Sequence, residues 1–266
     1  IKYGKMANPT WGHTTHEEEF IADYNQSKQS LRALGNFKMY RLNIWQHTAS
    51  QWLPFDKWVK CARSISLDEF RGKFGSAGID LSKTRDMSAL SVAIPIDGDV
   101  KLFSYLWVTE AAVNRYKAKV SFEEWIQRGH LFMCEGDTIQ EWRIRKQFAE
   151  LCETLKIKVL VKDRALAQDF TDWCEEEYPK ILQVEYPQNA AMMEKPIDDF
   201  EARVIEETLH HNNNLCLNWQ AGHATVTENA KGCRIIAKPK RDDHRKVDGM
   251  VSGVMANWGT TQLPKQ

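Results

Sequence analysis

The texture of this chain changes near Arg71. Beyond it, three runs rich in apolar and β-branched residues follow at close spacing, over 74–82, 89–96 and 100–108. Asp97-Gly98 stands between the second and third. That dipeptide tolerates positive φ at both positions, which a two-residue hairpin turn requires. In the third run Val100, Leu102, Tyr105 and Trp107 are the apolar or aromatic members. Three strands so spaced form an antiparallel meander. Helical patterns are expected at 121–129 and 137–155. A short buried strand, Ile157-Lys158-Val159-Leu160-Val161, follows and ends at Lys162-Asp163. A helix over 164–178, a strand over 181–184, a helix over 197–210 and a last helix over 242–258 complete the pattern, with Asp242 or Asp243 as the last helix's cap.

The two later strands are reached through helices and should run parallel to the first strand. A meander followed by alternating helices and strands is an α/β arrangement with a mixed sheet of five or more strands flanked by helices. That order suits the ribonuclease H-like fold, with the first strand in mid-sheet. Residues 1–66 read differently. They are rich in Trp, His, Asn and Gln and show no strand alternation. Glu17-Glu18-Glu19 marks the acidic first turn of a helix expected to run to about Leu34 and stop at Gly35. Trp52, Phe55 and Trp58 are apolar anchors on irregular chain, which should pack on a neighbouring domain. The expected division is an irregular helical linker over 1–66 and a folded domain over 67–266.

The composition agrees with a globular chain: 266 residues, 42% hydrophobic and 27% charged. It excludes a disordered chain, a collagen-like chain and a disulfide scaffold. No run approaches the 18 or so apolar residues of a membrane span, so no membrane partner is expected. The six cysteines lie too far apart in sequence for CxxC pairs, which argues for reduced, scattered thiols rather than a zinc or redox motif. The chain opens on Ile1 with no leader pattern, and is expected to be a piece of something longer.

Net charge is zero, yet its distribution is uneven. Residues 121–210 carry 11 Lys/Arg against 20 Asp/Glu, while residues 211–266 carry 8 against 4. Local charge decides phosphate binding, so neutrality does not exclude nucleic acid. Acidic surface helices around a core would give the same arithmetic without any groove.

The candidates for chemistry are carboxylates. Asp80 sits between Ile79 and Leu81 in a buried-looking strand, where a charge is expensive unless paired or cation-bound; the alternative is a strand-end cap. Asp163 stands at the carboxyl end of a strand, where α/β sheets bind ligands, but Asp is also a favoured helix cap. Asp248 falls within the last helix beside an apolar stripe of Val247, Met250, Val251, Val254, Met255 and Trp258. Small residues Gly249, Ser252, Gly253 and Ala256 would let that helix lie close to the sheet. If the strands carrying Asp80 and Asp163 are neighbours and the helix crosses them, three carboxylates meet. Such a set of hard oxygen donors suits two divalent cations, Mg²⁺ or Mn²⁺, and phosphodiester hydrolysis. His244, four residues before Asp248, and Asp86 are possible accessories. His210-His211 followed by three Asn reads as a helix end and loop.

On these residues the chain resembles the C-terminal nuclease part of the large terminase subunit of tailed bacteriophages. The matching strings are Gly78-Ile79-Asp80-Leu81-Ser82 with Asp86 and Ala89, Val161-Lys162-Asp163-Arg164, and Lys238-Pro239 with Lys246-Val247-Asp248-Gly249. The stretches from Leu209 to Trp219 and from Arg41 through Trp58 also resemble the family, so nearly the whole chain is covered. The resemblance implies a Mg/Mn-dependent endonuclease that cuts concatemeric viral DNA during packaging, with Asp80, Asp163 and Asp248 as catalytic metal ligands. It implies double-stranded DNA as partner, with Arg85, Lys162, Arg164, Lys238, Lys240 and Arg245 as candidate phosphate contacts. For the full-length protein it implies a small terminase subunit, a portal, self-association into a ring, and the cytoplasm of the infected bacterial host. The family joins this nuclease to a packaging ATPase; no GxxxxGK[ST] motif occurs here. The competing reading is a non-catalytic DNA-clamping and docking module.

Overall fold

The computed structural model describes residues 1–28, 31–44, 51–82, 87–163, 168–186, 190–228, 234–238 and 244–264. The elements in order are α1 (Lys2–Ala7), α2 (Glu17–Ser27), α3 (Leu31–Leu42) and α4 (Phe55–Lys60); the meander β1 (Phe74–Asp80), β2 (Ser88–Ile96) and β3 (Asp99–Thr109); then α5 (Glu110–Tyr116), α6 (Phe122–Gln127), β4 (Phe132–Cys134), α7 (Glu141–Thr154), β5 (Lys156–Lys162), α8 (Gln168–Glu177), β6 (Leu182–Glu185), α9 (Ala190–Ile205), β7 (Leu209–His211), α10 (Leu215–His223), β8 (Thr225–Glu228), β9 (Arg234–Ala237) and α11 (Asp248–Gly259).

Among the described residues, seven strands form one mixed sheet in the order β4-β3-β2-β1-β5-β6, with β7 also pairing β3. The meander is antiparallel, and its β2–β3 turn places Asp97 at φ 52° and Gly98 at φ 89°, both in the left-handed region that this hairpin demands. β5 runs parallel to β1, and β6 parallel to β5. Strand β1 is therefore central, with the hairpin on one side and the crossover strands on the other. This is the ribonuclease H-like α/β arrangement expected from the order of elements.

Side-chain alternation divides the core into two layers. Ala89, Ala93, Leu102, Leu106, Val159 and Val161 share one layer with α11. Ala77, Ile79, Leu90, Phe103 and Leu160 share the other with α7 and α8. Helix α11 is buried on nearly every side, as a helix must be when small and apolar residues surround its axis. Its closeness to the sheet is set by glycine: a Cβ on Gly78 would overlap the backbone of Ser252 and Ala256, and one on Gly259 would overlap the Ser76 hydroxyl.

Several expected boundaries move. The first long helix does not extend to residue 34: α2 ends at Ser27, and α3 runs through Gly35, tertiary packing overriding the glycine's weak helix propensity. Phe20 packs against Trp11 and Phe37 at 5.1 and 5.0 Å, giving α1–α3 a small aromatic centre. His210 and His211 lie on β7, not at a helix end, because the chain pairs there with β3 through Val100–Leu209 and Leu102–His211. The last helix begins at Asp248, six residues later than expected. Trp52, Leu53, Trp58 and Cys61 belong to the α11-side core, so residues 51–63 pack on the domain that follows them. Trp58 Nε1 donates to Asn218 at 2.9 Å, and Trp52 Nε1 donates to Glu201 at 3.3 Å. Among the described residues, Cys61, Cys134, Cys152, Cys174 and Cys216 are free thiols, and no helix is long and apolar enough to cross a membrane.

Candidate active site

Asp80 is the last residue of β1, and Asp163 directly follows β5. The parallel register pairs Ile79 with Lys162, so Asp80 and Asp163 occupy the next step on adjacent strands, where neighbouring chains lie about 4.8 Å apart. Asp80 is half-buried and pairs across β2 with Ala89, which faces the α11 layer. Asp163 continues the alternation of Val159 and Val161, which face the same layer. Both positions thus fall at the carboxyl end of the parallel pair, on the helix side.

Asp248 reaches this region from α11. It is the first helical residue and 8% exposed, at the end of the helix where backbone N–H groups lack intrahelical acceptors. The next residue, Gly249, packs on Leu106, with a Cβ position only 2.8 Å from that side chain. Leu106 pairs with Ala89, and Ala89 with Asp80. The start of α11 therefore lies over the row of the sheet that ends at Asp80. Among the described residues no group of three or more His, Cys, Asp and Glu is gathered tightly enough to hold a metal ion. The fold brings the three aspartates to one end and one face without closing them into a ligand set.

Other candidates fall differently. Lys162 is not placed to meet phosphate: it lies on the opposite face from Asp163, 5% exposed, and its Nζ donates to the Thr171 hydroxyl of α8. Burial there pushes its pKa down, opposed by Glu185 and Glu175. Strand alternation is the physical reason, since consecutive residues point to opposite faces. His244 precedes α11 rather than sharing a helical face with Asp248. Its ring lies 6.2 Å from that of Tyr116, at the end of α5. Lys238 follows β9, and Arg245 lies in the approach to α11; both are half-buried. Arg85, Asp86, Arg164 and Lys240 lie outside the described residues.

Two residues of α10 that the sequence reading does not assign to the site touch this region. Gln220 Oε1 accepts from the Gly249 N–H at 2.7 Å, and His223 Nε2 bonds the Lys246 carbonyl at 2.8 Å. The signal for Gln220 was its place one turn after Cys216 and Leu217 and beside Ala221, where a polar side chain facing an apolar core must find a partner when buried.

A mixed sheet with β1 central, its hairpin on one side and parallel crossover strands on the other, is the ribonuclease H-like arrangement. The sequence profile of the family "Terminase large subunit, endonuclease domain" matches residues 2–262, and the chain belongs to that family. Among solved structures it is similar to the large terminase of bacteriophage HK97, at 22% identity and TM-score 0.68, covering 96% of this chain and 53% of that one. It is also similar to the large terminase of a thermophilic bacteriophage, at 10% identity and TM-score 0.54, covering 94% and 54%. The nuclease of a second thermophilic phage, G20c, solved with bound magnesium, aligns more loosely: 11% identity, TM-score 0.47, covering 70% and 82%. The chain thus spans about half the length of the first two of these terminases. No curated protein matches it.

Proposed function

We propose that this domain is a divalent-cation-dependent endodeoxyribonuclease that cuts concatemeric viral DNA during genome packaging. The observation that carries the reading is the placement of Asp80 and Asp163 one step beyond a parallel register pair, with Asp248 opening a helix over the same row. Carboxylate oxygens are hard donors, and the three suit Mg²⁺ or Mn²⁺ rather than a soft metal. Two such ions held by Asp80, Asp163 and Asp248 would supply the charge that activates an attacking water and stabilises the leaving oxygen. The chain's own part is positional. The β1–β5 ladder fixes two carboxylates, the N-terminus of α11 fixes the third, and the core beneath keeps the set rigid. Arg245 and Lys238, with Arg85, Arg164 and Lys240, would hold phosphates without reading bases. In the whole protein we place the domain on double-stranded DNA in the host cytoplasm, beside a packaging motor, a small terminase subunit and a portal, in a ring of copies.

The test is plasmid cleavage with Mg²⁺, Mn²⁺ or EDTA. Nicking and linearisation with either ion, abolished by EDTA, support the reading. DNA binding with no cleavage under any ion would leave a clamping module instead.

A further inference from the structure

Helix α10 packs against the start of α11, the element that carries Asp248. Its Gln220 is fully buried. The side-chain oxygen accepts from the Gly249 N–H at 2.7 Å, one residue past Asp248. The side-chain nitrogen reaches the Met87 sulfur at 3.5 Å, just before β2. His223 lies three residues on, on the same helix face. Its Nε2–H donates to the Lys246 carbonyl at 2.8 Å, two residues before Asp248, and its ring packs edge-on against Trp219 at 4.4 Å. The backbone on both sides of Asp248 is therefore tied to one face of one helix. Gly249 has no room to move toward that face, since a Cβ there would already press Leu217 and Gln220 at 3.0 Å.

We propose that Gln220 and His223 are positioning residues that hold the Asp248 carboxylate over the ends of β1 and β5. This rests on the reading of Asp248 as a cation ligand. Both act through the backbone groups that flank Asp248. Gln220 satisfies one of the N–H groups that a helix start leaves without an intrahelical acceptor, and so fixes the direction of the first turn of α11. His223 fixes the chain entering that turn. Groups that orient ligands in this way commonly change metal affinity or activity by about 10–100-fold when removed.

The experiment compares Gln220→Met, His223→Phe, His223→Gln and Asp248→Asn in the chain as it stands. Methionine keeps the length of Gln220 and suits the neighbouring Met87 and Cys216 sulfurs, but accepts no strong hydrogen bond. Phenylalanine keeps the ring against Trp219 without the Nε2 donor, whereas glutamine restores an N–H at similar reach. Three quantities are read: Mn²⁺ affinity by titration calorimetry, duplex affinity in EDTA by fluorescence anisotropy, and plasmid cleavage rate. The expected result is Mn²⁺ binding weakened by about 10–100-fold in Gln220→Met and in His223→Phe. Cleavage should fall with it, duplex affinity should be unchanged, and His223→Gln should recover most of the loss. Should Gln220→Met not fold, Gln220→Asn withdraws the acceptor by one methylene and reads the same loss. Wild-type Mn²⁺ affinity in the α10 variants, with Asp248→Asn impaired, overturns the positioning role alone. Wild-type Mn²⁺ affinity and cleavage in Asp248→Asn overturns the reading on which it rests.

Discussion

Gly78 of β1 lies directly beneath Ser252 of α11, so close that a Cβ on the glycine would overlap the serine's carbonyl oxygen. Beside this contact the Ser252 hydroxyl meets that of Ser91 at 2.7 Å, and Ser91 meets Ser104 at the same distance. The helix that carries Asp248 is thus pressed onto the sheet at a bare backbone and pinned by a short chain of buried hydroxyls.

Gly78→Ala tests that contact. The obstacle is backbone, which cannot swing aside as a flexible side chain would, so the added methyl must lift α11 from β1. Overpacking of a filled core costs about 1–3 kcal/mol, and this site should lie at the upper end. Urea unfolding at neutral pH should show the midpoint lowered, with cleavage impaired even where the variant is fully folded. An unchanged midpoint and full activity would mean that α11 can rise without consequence.

A second prediction concerns pH. His211 is fully buried, stacked on Trp58 with ring centroids 4.2 Å apart. Its Nε2 donates to the Trp58 carbonyl at 3.0 Å, while its Nδ1 accepts from the Asn213 N–H at 3.3 Å. One donor and one acceptor describe the neutral ring, and burial lowers its pKa from 6.5 to about 4. The folded state therefore refuses a proton that the unfolded chain accepts. Stability from this group is complete above pH 6.5 and declines as pH falls toward 4, by about 3 kcal/mol in all. Urea midpoints of the wild type and His211→Gln should converge between pH 7.5 and 4.5. A constant gap would mean that the ring takes up its proton in the fold as readily as in the unfolded chain.

The sheet was legible because its signals are local. The Asp97-Gly98 turn, the alternation of 100–108 and the apolar run ending at Val161 each act within a few residues, and β2, β3 and β5 follow from them. Elements fixed by distant partners were not. His210 and His211 become a strand only because β3 offers an edge, and α3 continues through Gly35 because Phe37 packs on Phe20. The aspartates stood out as charges in apolar settings. Lys162 did not betray its direction, since a lysine at a strand end is equally at home on either face until the register is known. The start of α11 was misjudged because Asp242 and Asp243 are good caps by type, while the helix begins where Gln220 meets Gly249.

DNA binding should be weak and insensitive to sequence. Residues 211–266 carry a local excess of positive charge, but the acidic segment over 121–210 limits any continuous basic surface. Affinity of an Asp80→Ala form for two unrelated duplexes should fall steeply, and alike, as salt rises, because phosphate contacts release counterions. Replacing Lys240 and Arg245 together should weaken both equally. Tight, salt-insensitive binding to one duplex alone would show that base contacts dominate.

On the proposed function, three aspartates from β1, β5 and α11 act as one cation-dependent site. Plasmid cleavage in Mn²⁺ by Asp80→Ala, Asp163→Ala and Asp248→Ala, each checked for folding by circular dichroism, tests it most directly. Each folded variant is expected to have lost cleavage, since removal of any one ligand breaks a shared site. Near-wild-type cutting by any of the three would contradict it and remove that residue from the site.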